Sequence, residues 1–249
     1  MSEKNKPSRS FLAVKWFLKK VYPRPKFEGE LPKEPCIIVG NHSQIHGPLM
    51  AELHFPEPLG IWCAGAMMKL KTVPSYAFED FWSQKSKWSQ PYYKLCSYLI
   101  APLAAFLFTN AQTIGVYRDG RILSTFKKTV EELKNGKNIL IFPEHDVKYN
   151  HILYDFEEHF IDVAKLYYKR TQKEVLFVPA YLSPKLKQVT FGKPIRFDGE
   201  ADIDAERTRI RKYLMDEIVS VAEGLPLHTV VPYRNIPKRN YPQNKGDQA

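Results

Sequence analysis

Cys36-Ile37-Ile38-Val39-Gly40-Asn41-His42 decides how this chain is read. Four apolar side chains in succession, bounded by glycine and two polar residues, describe a short strand buried on both faces. Asn41 and His42 stand directly beyond its carboxyl end. The pattern recurs. Asn138-Ile139-Leu140-Ile141-Phe142 runs into Pro143-Glu144-His145-Asp146, Thr113 to Tyr117 runs into Arg118-Asp119, and Val175 to Val178 runs into Pro179-Ala180. Leu59 to Ala64 and Val189 to Phe191 are further strand candidates.

Between these runs the apolar spacing becomes helical. Ile122, Phe126, Val130 and Leu133 share one face, and Asn135-Gly136 is a stop signal. Phe156, Phe160, Val163 and Tyr167 mark a second helix, with Asp155, Glu157 and Glu158 at its start and Lys165, Lys169 and Arg170 at its end. Ile210, Leu214, Ile218 and Val221 mark the last, which ends at Gly224 and Pro226. Pro48 opens a short helix through His54, and residues 66–110 predict irregular helices. The alternation predicts an α/β domain, a mostly parallel central sheet flanked by helices. Sites in such sheets form beyond the carboxyl ends of strands, so the four polar strand ends are expected to converge on one crevice.

The chain has 249 residues and a formal net charge of +10. Residues 1–26 hold eight basic residues against Glu3, and residues 232–249 hold four against Asp247, so the interior is neutral. That neutrality, with no recognisable binding motif, argues against nucleic acid as a partner. At 44% hydrophobic and 13% aromatic, the composition excludes a disordered chain. Cys36, Cys63 and Cys96 have no metal or redox spacing and read as buried free thiols of a reducing compartment. No signal-peptide pattern is seen, and the longest apolar run, Tyr98 to Phe108, falls short of the roughly 20 residues that a spanning helix needs.

In their order, the strand-end motifs resemble the glycerolipid acyltransferase family, of the lysophosphatidic acid acyltransferase type. Asn41-His42-Ser43-Gln44-Ile45-His46-Gly47 stands in the place of its Asn-His-x4-Asp motif. Ile114-Gly115-Val116-Tyr117-Arg118 resembles its arginine-ended strand, Phe142-Pro143-Glu144-His145 its Phe-Pro-Glu-Gly, and Val178-Pro179-Ala180 its proline-ended strand. Phe191-Gly192-Lys193-Pro194-Ile195 is like the strand that follows, and the similarity covers roughly residues 30–220.

The resemblance implies acyl transfer from acyl-CoA or acyl carrier protein to a hydroxyl of a lysophospholipid or glycerol-phosphate-like acceptor, with no metal and no bound cofactor. On this mapping His42 is the general base, Arg118 contacts the acceptor phosphate, and Phe142, Pro143 and Glu144 form the acceptor wall. Asn41, His46, His145 and Pro179, in or beside the motifs, complete the expected substrate-binding set.

The mapping departs from the family at three places; in the second motif the glycine expected before the strand is displaced, with Gln112 near its place. Gly47 stands where the family has the aspartate that holds the histidine, and His145 replaces the third-motif glycine. Asp146 or Glu144 reaching His42 across the crevice is the favoured substitute; His46 or the backbone is the alternative. A second arginine, Arg121, competes with Arg118 for the phosphate. The rival reading is a degenerate relative that binds lipid without efficient transfer.

Phe11, Val14, Leu18 and Val21 give the N-terminal segment one apolar face, widened by Trp16 and Phe17, with Lys15, Lys19 and Lys20 towards the other. This is the pattern of an interfacial helix drawn to anionic lipid. The aromatic stretch 76–93 and the run 95–108 are either further lipid contacts or core helices. The expected organisation is a basic amphipathic membrane-surface segment (1–26), an acyltransferase-like domain (27–225) and a basic flexible tail (226–249). The expected location is cytoplasmic, on the inner face of the membrane.

Overall fold

The computed structural model describes residues 8–82, 86–111, 113–117 and 119–246, less the side chains of Asp80, Phe81 and Asp146. The chain runs α1 (Arg9–Val21), β1 (Lys26–Glu28), β2 (Cys36–Gly40), α2 (His46–His54), β3 (Leu59–Ala64), α3 (Val73–Ala77), α4 (Gln90–Asn110), β4 (Thr113–Val116) and α5 (Ile122–Lys134). It continues through β5 (Asn138–Ile141), β6 (Glu144–Tyr149), β7 (Tyr154–Phe156), α6 (Asp162–Thr171), β8 (Leu176–Ser183), β9 (Gln188–Phe191), β10 (Ile195–Arg196) and α7 (Ile203–Gly224).

The main sheet has the order β1-β9-β8-β2-β5-β3-β4, with β10 on β8. Its five strands from β8 to β4 are mutually parallel, while β9 and β10 run antiparallel to β8. β2 is central, with Ile38 opposite Val178 on one side and Leu140 on the other. Alternate residues face opposite layers. Ile37, Val39, Ile139 and Ile141 pack with the buried stripes of α5, α6 and α7, whereas Cys36, Ile38 and Leu140 pack with Met50 and Ala51 of α2. All three cysteines are free; Cys36 is buried and the other two are half-buried.

Four expectations change. The helix marked from Phe156 starts at Asp162, because Tyr154 to Phe156 is drawn into a hairpin with β6 in which Phe156 lies opposite Glu144. Pro179 does not end its strand, since β8 continues to Ser183. Proline removes no needed donor there: Pro179 lies between the residues paired with β10 and those paired with β9, and its carbonyl accepts from Gly192 N–H at 2.8 Å.

The run 98–108 lies within α4, a helix of 21 residues that continues through Pro102. By length and composition α4 is apolar enough to cross a membrane, as the shorter run was not. Tyr92, Leu95, Tyr98, Leu99 and Leu103 are exposed on it, so most of this helix is not core.

The segment after α7 is not a free tail. Val230 and Val231 are buried, and Thr229 bridges Gln243. The fully buried Asn244 donates to Ala222 O at 2.7 Å and accepts from His228 N–H at 2.9 Å. At the other end Phe11 packs edge-on to Phe106 of α4, and Lys15 turns inward to pair with Glu52 at 2.8 Å. Trp16, Phe17 and Val21 stay exposed, with Lys19 and Lys20 beside them.

Candidate active site

Three of the four strand ends meet. β8, β2 and β5 are neighbours, whereas β4 lies at the sheet edge with β5 and β3 between it and β2. The convergence of all four is therefore corrected to three. Arg118, which follows β4, lies outside the described residues; Arg121 is exposed, paired with Asp119 and stacked on Tyr117 at 4.1 Å.

Asn41 is a latch. Its Oδ1 accepts from Leu182 N–H at 2.7 Å, and its Nδ2 donates to Leu182 O at 3.1 Å and Ser43 Oγ at 2.8 Å. The side chain is buried and carries the β2–β8 pairing past the end of β2. The turn that follows places Ser43 and Gln44 at φ 48° and 55°, the left-handed region that non-glycine residues occupy only when held. Ser43 is held by Leu182 O at 3.2 Å. Gln44 Nε2 donates to Arg234 O at 3.2 Å and to the Tyr241 hydroxyl at 2.9 Å.

His42 lies between these residues. Glu144 does approach it, but at the backbone: one carboxylate oxygen accepts from His42 N–H at 2.6 Å and the other from Tyr154 N–H at 2.7 Å. Glu144 thus ties the histidine loop to β7 and does not hold the ring. Burial raises its pKa to about 7 against the pull of those two N–H groups.

The His42 Nδ1 is buried with no hydrogen-bond partner. Burial lowers its pKa to about 4, partly opposed by the backbone of Gln44 and of His42 itself, so the ring is neutral at ordinary pH. His46 does not hold it, because its Nδ1 pairs with the Tyr22 hydroxyl at 3.2 Å. Burial, then Lys185 and Lys238, lower the His46 pKa. His145 Nδ1 faces Glu157 at 3.7 Å. Asp146 lies on β6, its side chain outside the description.

Gly47 is pressed against the histidine loop. Its N–H donates to His42 O at 3.2 Å, so its backbone abuts that of His42. A Cβ at 47 would overlap that carbonyl oxygen and lie 3.0 Å from its carbon and 3.2 Å from Phe142 Cε1. Position 47 accepts no side chain while the loop keeps this course.

Two rings complete the surroundings of His42. Phe142 lies edge-on at 5.3 Å and Tyr233 edge-on at 5.2 Å. Pro143 is buried behind Phe142 and accepts from Glu157 N–H at 2.9 Å. Tyr233, Tyr241 and Gln44 were not among the residues expected here. The signal was in Pro232 to Pro242, where two tyrosines, one isoleucine and three prolines are unlike a solvated tail. Among the described residues no three His, Cys, Asp or Glu side chains gather as a metal site.

No protein-family model matches the sequence, and no curated protein matches it. By structure the chain is similar to the crystal structure of the 1-acyl-sn-glycerophosphate (LPA) acyltransferase PlsC from Thermotoga maritima. The TM-score is 0.50 at 14% identity, over 87% of this chain and 81% of that one. At that identity the likeness concerns the fold: an α/β domain with a mostly parallel central sheet flanked by helices.

Proposed function

We propose that this chain transfers a fatty acyl group from acyl-CoA or acyl carrier protein to a hydroxyl of a lysophospholipid-like acceptor at a membrane surface. The observation that supports this most is His42 at the carboxyl end of the central parallel strand, with Phe142 from the adjacent strand against its ring. In this reading neutral His42 takes the acceptor hydroxyl proton at Nε2, since Nδ1 is sealed. The acceptor oxygen attacks the thioester carbonyl, the carbon–sulfur bond breaks, and the proton passes from His42 to the departing thiolate. Glu144 keeps the loop in place through the His42 N–H. The exposed aromatics of α1, the lysines beside them and the apolar face of α4 supply the lipid contact.

One observation favours a second reading, a lipid-binding protein without efficient transfer: no described carboxylate reaches the His42 ring. In the serine-protease triad, altering the carboxylate behind the histidine costs about 10⁴ in rate. Incubating the protein with labelled acyl donors and a panel of lysophospholipids separates the two. Transfer that disappears in His42→Ala establishes the enzyme; lipid binding with no transfer establishes the binder.

A further inference from the structure

The His42 ring is held from two sides, and one side belongs to the C-terminal segment. Phe142 and Tyr233 meet it at interplanar angles of 62° and 65°, the edge-to-face geometry that aromatic rings favour. The placement of Tyr233 is itself determined. The next residue, Arg234, accepts a hydrogen bond from Gln44 through its carbonyl, as does Tyr241 through its hydroxyl, while Asn244 fastens the far end of the segment to the end of α7. Gln44 is two residues from His42 and in the left-handed region. The histidine loop and the C-terminal segment therefore stabilise each other's conformation.

Among the described residues no side chain hydrogen-bonds the imidazole; besides the two rings, the groups acting on it are the backbone of Gln44 and of His42 itself. Nδ1 has no partner, position 47 admits no side chain, and Glu144 binds the backbone. A base must nevertheless be held within a fraction of an ångström to work. Resting on the reading of His42 as the base, we infer that Tyr233 is a positioning residue: with Phe142 it clamps the imidazole by packing, in place of a hydrogen-bonded carboxylate. The clamp fixes direction only. It adds no negative charge to stabilise an imidazolium, so it restores geometry and not the electrostatic part of a dyad.

The test uses the full chain and reads His42 directly. Histidine labelled with ¹⁵N is titrated by NMR in the parent protein and in Tyr233→Phe, Tyr233→Leu and Tyr233→Ala. Glu144 titrates nearby, at about 7, so the series is repeated with Glu144→Gln. Arg234, the charged neighbour on the segment, is unchanged throughout. Opening one face of the ring to water should raise the His42 titration by about one unit or more in the alanine and leucine variants. The phenylalanine variant should stay with the parent.

In acyl transfer, the leucine variant should lose about 10²-fold in kcat with KM for the acyl donor unchanged, and phenylalanine should rescue it. The leucine variant keeps part of the apolar volume but not the flat ring, and serves if alanine does not fold. A leucine variant with the parent's His42 titration overturns the clamp. A parent protein with no transfer overturns the proposed function instead, and the titration still decides the clamp.

Discussion

An aspartate placed at position 47, Gly47→Asp, should weaken this protein and leave any acyl transfer no higher. Glycine to alanine inside a helix ordinarily gains up to about 1 kcal/mol. At Gly47 the sign reverses, because the new Cβ overlaps the His42 carbonyl oxygen, a backbone atom of the histidine loop. Phe142 Cε1, 3.2 Å away, closes another direction of escape. Overpacking of this kind costs about 1–3 kcal/mol. An aspartate adds the cost of burying a carboxylate to that overlap.

A total of about 3 kcal/mol or more is expected for Gly47→Asp, with Gly47→Ala carrying the steric share. In a chain of this length that lowers Tm by about 6–12 °C. Calorimetry on both variants, with acyl transfer measured at a temperature where each stays folded, checks the reasoning. If Gly47→Asp melts with the parent protein and turns over faster, the loop yields, the carboxylate reaches the ring, and the steric account is refuted.

Three further predictions concern other parts of the molecule. Burial holds Glu144 up to about 7 against an ordinary 4.5, so folding binds its proton and stability falls as pH rises between those values. His42, held down to about 4 against 6.5, contributes the opposite slope, with stability rising from about pH 4 to 6.5. Glu144→Gln should therefore show Tm climbing with pH over that window more steeply than the parent; parallel profiles would count against the Glu144 assignment, and a variant profile that does not climb against that of His42. Asn41→Ala strands the buried Leu182 N–H and should cost about 1–3 kcal/mol in urea unfolding, whereas an unchanged midpoint would mean the latch is dispensable. Lys19→Gln with Lys20→Gln should weaken binding to phosphatidylglycerol vesicles by about 2 kcal/mol, near 30-fold, and leave phosphatidylcholine binding unchanged; equal loss on both lipids would remove the electrostatic part of the membrane reading.

Much of the fold was legible locally. The runs at 36–39, 59–64 and 138–142 are strands because β-branched and apolar side chains crowd a span too short for a helix. The helix at 122–134 shows its stripe and its stop signal within its own residues. The misreadings share a cause. Phe156 fits a helical stripe with Phe160 and Val163, yet pairing opposite Glu144, twelve residues earlier, takes it into a hairpin. Pro179 looks like a terminator until β9 and β10 divide the far side of its strand between them.

The candidate site divides the same way. His42, Phe142 and Glu144 could be named from their chemistry and their positions after strands. What each one touches could not, because the partners lie about 100 residues or more away. Glu144 binds the His42 backbone, and Tyr233 packs on its ring across 191 residues of chain. Residue type and short-range spacing determine elements, since those signals are carried by neighbours in sequence. The lack of room for a side chain at 47, the latch at Asn41 and the ring from the C-terminal segment are decided by distance in space, which only the folded chain brings about.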